Sequence, residues 1–141
     1  MIITNNDIFM VHLISTSIMV GLIWLIQVVH YPSFLFIDIE KYSKFQKFHM
    51  SRISYVVIPI MMIELLSGVY LFLFYTFSIY LIIELFILAI TWILTGLFFS
   101  RMHTELVEKF NKNIINKMIN LNWFRTCFWS IRLVILMNIL M

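Results

Sequence analysis

Between Arg52 and Arg101 lie 48 residues, 53–100, without a single Lys, Arg or His. Glu64 and Glu84 are the only charges among them, and the apolar run is interrupted at Tyr75-Thr76-Phe77-Ser78. About 20 apolar residues carry an α-helix across the hydrocarbon core of a bilayer. The stretch therefore predicts two spanning helices joined by a tight antiparallel turn. The rest of the chain agrees: of 141 residues 62% are hydrophobic and 12% charged, against about 25% charged in soluble domains. A helical bundle buried in a large soluble complex is the alternative. The membrane length of the apolar runs, and the grouping of charges between them, favour the bilayer.

Four spans are predicted, at about 8–29, 53–74, 77–99 and 121–140. The fold class is all-α, a polytopic four-helix transmembrane bundle, and residues 1–141 read as one domain. Residues Met1–Asp7 contain no Lys or Arg, so the first apolar run reads as a retained span rather than a secretory signal. His30-Tyr31-Pro32 is expected to end span 1, because the residue before proline is pushed away from helical geometry.

Two polar segments follow spans 1 and 3. In residues 33–52, Phe34, Ile37, Tyr42, Phe45 and Phe48 recur near helical spacing, which predicts an amphipathic helix lying in the interface. In residues 101–120, Leu106, Phe110, Ile114, Met118 and Leu121 are three or four apart, with charges between them, predicting an amphipathic helix continuous with span 3. Together the segments hold Lys41, Lys44, Lys47, Arg52, Arg101, Lys109, Lys112 and Lys117, whereas both termini and the 2–3 turn hold no Lys or Arg. The positive-inside rule then puts both segments in the cytoplasm and both termini outside. No cationic or aromatic-interleaved tract points to nucleic acid. Cys127 stands alone and is expected to be a small core residue.

Within the spans the ionisable residues are the candidates for function, since a charge at mid-bilayer costs at least about 2.5–3.5 kcal/mol. Glu64 and Arg132 both fall near the middle. They read as a buried ion pair fixing helix register or as a proton or cofactor site, and Glu64 can alternatively be protonated. Asn122, Arg125, Trp129 and Arg132 share one face of span 4. The guanidinium groups of Arg125 and Arg132 can receive a carboxylate, a propionate or a phosphate, or serve Glu64 and a backbone carbonyl. His12, near the outer end of span 1, can meet Glu84 of span 3, which would orient the ring as a ligand or proton carrier. An ordinary hydrogen-bonding role for His12 is the alternative. His30, His49 and His103 with Glu105 lie at one membrane level without a metal-motif spacing. Ser17/Gly21 and Gly96/Ser100 are small-residue pairs four apart, of the kind that lets helices approach.

Two stretches carry a resemblance: His30-Tyr31-Pro32-Ser33-Phe34 with Phe48-His49-Met50-Ser51-Arg52 and Glu64, and Asn122-Trp123-Phe124-Arg125-Thr126 with Trp129-Ser130-Ile131-Arg132. Together they resemble a group of small bacterial four-helix membrane proteins that has no established activity. That resemblance implies a multi-pass protein of the bacterial plasma (inner) membrane. More distantly, the chain is similar to the small membrane protoporphyrinogen oxidases of bacteria. His12 matches that family's first-span histidine, and Gly21, Pro59 and Gly68 fit its first two helices. Where that family has a Lys in its third helix this sequence has Glu84. The likeness implies haem or porphyrin binding with His12 as the metal ligand.

Three functions follow. The first is a haem- or quinone-type cofactor-binding, redox-accessory protein using His12, Arg125 and Arg132, which requires His12 to face the bundle interior. The second is a small oligomeric transporter or channel with Glu64, Glu84 and Arg132 lining the path, which requires a hydrated path past Glu64 or a symmetric interface lined by it. The third is a structural or assembly subunit of a larger membrane complex, in which Glu64 and Arg132 touch with no cavity beside them. Soluble-type enzyme chemistry has no motif here: no glycine-rich phosphate loop and no His-Glu metallopeptidase signature. The topology is directly testable. A reporter active only in the cytoplasm, fused at the C-terminus, is expected to be silent; a strong signal overturns the four-span, both-ends-out arrangement.

Overall fold

The computed structural model describes residues 4–74 and 78–140. They form four long helices and, among the described residues, no strand: α1 (Asn5–Phe36), α2 (Ile39–Phe74), α3 (Ile79–Glu108) and α4 (Lys112–Leu140). Each is long and apolar enough to cross a membrane. This is an all-α, four-helix membrane bundle. Residues 75–77, where the 2–3 turn and the start of span 3 were placed, lie outside the described residues.

The helix ends follow local chemistry. Thr4 and Asp7 form a capping box at the start of α1: the Thr4 hydroxyl accepts from the Asp7 amide, and the Asp7 carboxylate accepts from the Thr4 amide at 2.8 Å. Asn111 opens α4 by accepting from the amides of Asn113 and Ile114 at 3.0 and 3.3 Å. The chain is extended at Ile37 and Lys109, which separates α1 from α2 and α3 from α4.

Three boundaries differ from those expected. His30-Tyr31-Pro32 does not end α1. A wide π-turn at Ile26–His30 precedes the proline, Tyr31 keeps helical geometry, and the helix runs on as a 3-10 turn at Phe34–Phe36. The extra residue in such a turn relieves the hydrogen bond and the carbonyl clash that proline would otherwise disturb. Residues 39–52 do not lie flat in an interface. They extend α2 by several turns, with Tyr42, Gln46 and His49 buried on one face and Phe48 exposed on the other. The second polar segment is divided: Ser100–Glu108 prolongs α3 and Lys112 begins α4.

The interior is layered along the bundle. Next to the chain-end side, Phe9, Leu13, Leu71, Leu81 and Leu136 form an apolar plug. A polar layer follows. Met19, Ile23, Met61 and Trp129 make a second apolar layer. At the basic end, Tyr31, Phe34, Tyr42, Leu106, Ile115 and Met118 build a further core, while the lysines of both polar segments stay exposed. Cys127 is exposed rather than in the core, because the buried face of α4 runs through Met118, Asn122, Arg125, Trp129, Arg132 and Leu136.

The close approach of two helices occurs at a glycine other than those in the small-residue pairs. Gly21 and Gly96 face open space, with nothing within 4 Å of an added Cβ. At Gly68 an added Cβ would lie 2.9 Å from His12 Cε1 and 3.4 Å from Leu88 Cδ2. The imidazole therefore occupies the space a side chain would take. Gly68→Ala is expected to cost about 1–3 kcal/mol through overpacking, whereas Gly96→Ala should leave the thermal midpoint in detergent unchanged or slightly raised. Equal midpoints for the two variants would refute this contact.

Candidate functional site

Each helix contributes one ionisable group to the polar layer: His12 from α1, Glu64 from α2, Glu84 from α3 and Arg132 from α4. All four are buried. Arg132 sits between the two carboxylates. Its Nη1 donates to Glu64 Oε1 at 2.7 Å and its Nε donates to Glu84 Oε1 at 2.6 Å, with Nη2 also against Glu84. Glu64 accepts further bonds from the Thr16 hydroxyl at 2.9 Å and from Trp129 Nε1 at 3.1 and 3.2 Å. Three donors converge on it, which is the pattern an ionised, acceptor-only carboxylate fits.

Both ring nitrogens of His12 are engaged: Nδ1 lies 2.8 Å from the Ser67 hydroxyl and Nε2 lies 3.2 Å from Glu84 Oε1. The Ser67 hydroxyl is also within reach of the Ile63 and Glu64 carbonyls, at 2.7 and 3.2 Å. An Nε2–H donates to the Glu84 carboxylate, so Glu84 receives donors from two helices, α1 and α4. Buried ions are tolerated where opposite charges and hydrogen-bond donors surround them in this way.

The cavities beside Arg125 and beside Arg101 touch no member of this network, and apolar layers lie on both sides of it. His12 does face the bundle interior, but both of its ring nitrogens are engaged by Ser67 and Glu84.

One turn along α4 from Trp129 lies Arg125, which is 3% exposed. Its Nη1 donates to Asn122 Oδ1 at 3.1 Å, and its guanidinium carbon stands 4.2 Å from the Phe99 ring centre and 5.3 Å from that of Trp129. Asn122 in turn donates to Gln27 Oε1 at 2.8 Å. Among the described residues no carboxylate pairs with Arg125, and its Nε has no hydrogen-bond partner. An uncompensated buried ion carries a penalty of several kcal/mol, offset here in part by the two aromatic faces.

Arg125 lines a cavity of about 240 Å³ toward the basic end, walled mainly by Met, Ile and Val side chains of α1 and α2 and by Phe99 of α3. Ile58 and Ser100 at its rim are exposed, so it opens sideways between α2 and α3. Both π-turns border it, at Ile26–His30 and Leu94–Phe99, as π-turns often do at functional sites.

His49 and His103 also line this cavity. His30 Nε2 and His49 Nδ1 are 2.8 Å apart and share one hydrogen bond. His103 is held on both sides, by Gln46 at 2.7 Å and by the Tyr31 hydroxyl at 3.3 Å. His49 Nε2 is buried with no partner. The three histidines thus come together, but their nitrogens are largely spent on one another and on Gln46 and Tyr31. Glu105 is turned away, paired with exposed Arg101 at 3.3 Å. Among the described residues no group of three or more His, Cys, Asp or Glu is arranged to hold a metal ion.

Sequence reasoning missed Ser67, Gln27, Gln46, the Trp129–Glu64 bond and the packing of His12 on Gly68. Ser67 and Gly68 carried a signal, lying one helical turn from Glu64 on the same face. No protein-family model, curated protein or solved structure matches this chain, so the likeness to the oxidase family gains no support from those comparisons.

Replacing Arg132 by Leu removes the one cation between Glu64 and Glu84. Breaking such a buried pair costs about 3–5 kcal/mol, and folded yield from membranes is expected to fall severalfold. Lys112→Leu, at an exposed position, serves as the control. Comparable yields of the two variants would dismiss the central role of Arg132.

Proposed function

We propose that this membrane protein holds a lipid-soluble cofactor of the haem or quinone type as a redox-accessory component, and that the ligand sits in the cavity beside Arg125 rather than at His12. The half-open cavity carries this reading. Its walls are apolar, it is reached from the side, and it presents the unpartnered buried atoms Arg125 Nε and His49 Nε2. Apolar walls with a few placed polar groups are the general form of a small-molecule site. At about 240 Å³ the cavity is below the usual range of about 300–1,000 Å³, so it suits the head of a ligand whose remainder lies in lipid. Ligation of iron by His12 would require giving up Ser67 or Glu84.

A structural or assembly role is the second reading. It is favoured by one observation: Glu64 and Arg132 are in contact with neither cavity beside them. A transporter or channel lined by Glu64 would need a hydrated path, and the apolar layers on either side of the network argue against one.

The test is a titration of haemin and of decyl-ubiquinone into the purified protein, followed by Trp fluorescence and visible absorption. Val57→Trp, which fills the cavity wall, is expected to weaken binding of the ligand at least tenfold, while His12→Gln leaves it within twofold in folded protein. The reverse pattern would move the site to His12. Absence of binding to either ligand would transfer the weight to the assembly role.

A further inference from the structure

We infer that the cavity beside Arg125 takes the oxyanion head of a single-chain amphiphile, a carboxylate or phosphate on an apolar tail. The inference rests on the reading of this cavity as a ligand site and assigns it an acidic class of ligand distinct from haem and quinone. Three observations carry it. First, Arg125 is a permanent cation, 3% exposed, and its neighbours are the Asn122 amide, the Tyr31 hydroxyl and the faces of Phe99 and Trp129, none of them an acid. Among the described residues no Asp or Glu lines the cavity. Among the same residues the other buried Arg and Glu side chains are matched: Arg132 by two carboxylates, and Glu64 and Glu84 by Arg132. Of these buried side chains Arg125 lacks a counter-charge, and a bound anion supplies it.

Second, the donors available suit an oxyanion. Arg125 Nε has no partner, and a guanidinium edge meets carboxylate or phosphate oxygens in a forked pair of bonds. His49 Nε2 is likewise unpartnered and buried at the cavity wall. When His30 Nε2–H donates to His49 Nδ1 across their 2.8 Å contact, His49 carries its hydrogen on Nε2 and offers it to the cavity. A bound oxyanion selects that tautomer; without one, either ring can hold the shared hydrogen. Third, the exposed rim at Ile58 and Ser100 leaves a lateral exit between α2 and α3. A tail can follow it into the hydrocarbon while the head stays inside.

The probe is cis-parinaric acid with its methyl ester as the neutral counterpart, added to the protein in nanodiscs of phosphatidylcholine at pH 8. Energy transfer from tryptophan to the polyene is the readout. The acid is expected to bind saturably at one per chain, at least tenfold more tightly than the ester. Arg125→Gln should bring the two affinities to within twofold, and Arg125→Lys should keep most of the difference. Competition by laurate and by dodecyl phosphate then identifies the preferred head, the stronger competitor being the matching oxyanion. Equal binding of acid and ester to the wild-type protein overturns the inference while leaving the cavity as a ligand site. Failure of both probes, together with haemin and decyl-ubiquinone, overturns the cavity reading itself. If Arg125→Gln does not fold, the acid-to-ester ratio on the wild-type protein decides the matter.

Discussion

The bundle depends on one guanidinium. Arg132 is fully enclosed where no water can solvate it, and it is tolerable there because Glu64 and Glu84 reach it from two different helices. Each of those carboxylates is in turn satisfied by groups from elsewhere: Thr16 and Trp129 for the first, His12 for the second. Lipid-facing and core-facing side chains are equally apolar in a membrane bundle, so hydrophobic burial distinguishes rotations of a helix only weakly. A wrong rotation of any helix here leaves a charge unpaired. The polar layer therefore fixes how the four helices turn toward one another, and Gly68 marks how close α1 and α2 must come for His12 to join it.

The same principle separates what was legible in the sequence from what was not. Span number and approximate position could be read, because the apolar runs have membrane length and the charges fall between them. The convergence of Glu64 and Arg132 could be anticipated from depth alone. The inward face of α4 was readable, since Asn122, Arg125, Trp129 and Arg132 mark it with polar atoms. The inward face of α1 was harder: Ser15 and Thr16 point in while Ser17 is exposed, and nothing in their chemistry separates them. The glycine pairs misled for the same reason, since spacing gives a face but not its direction. The passage of α1 through Pro32 was illegible because a π-turn depends on tertiary packing rather than on any residue signal.

The cavity lay beyond sequence reasoning altogether, being defined by where four helices fail to meet. Three of its polar members were nonetheless inside the stretches already singled out: Tyr31 and His49 come from one and Arg125 from the other. Their hydrogen-bond partners His30 and Asn122 belong to the same stretches. Those stretches converge at the basic end of the bundle, while their deeper members Glu64, Trp129 and Arg132 converge on the ion layer. Trp129 joins the two zones, giving its ring edge to Glu64 and its face to Arg125. One zone is closed and pairs its arginine with two carboxylates, and the other is open and carries an unmatched cation.

The order of the ion layer along the chain has a consequence for how the protein is made. The carboxylates of α2 and α3 precede the arginine of α4 by 68 and 48 residues, so during synthesis both enter the membrane before their counter-charge exists. Until then neither has the arginine that offsets the cost of burying it. Arrival of the last helix supplies that partner to both at once. Completion of the chain is thereby coupled to closure of the polar layer, and a truncated product lacking α4 would present two unsatisfied acids to whatever machinery inspects nascent membrane proteins.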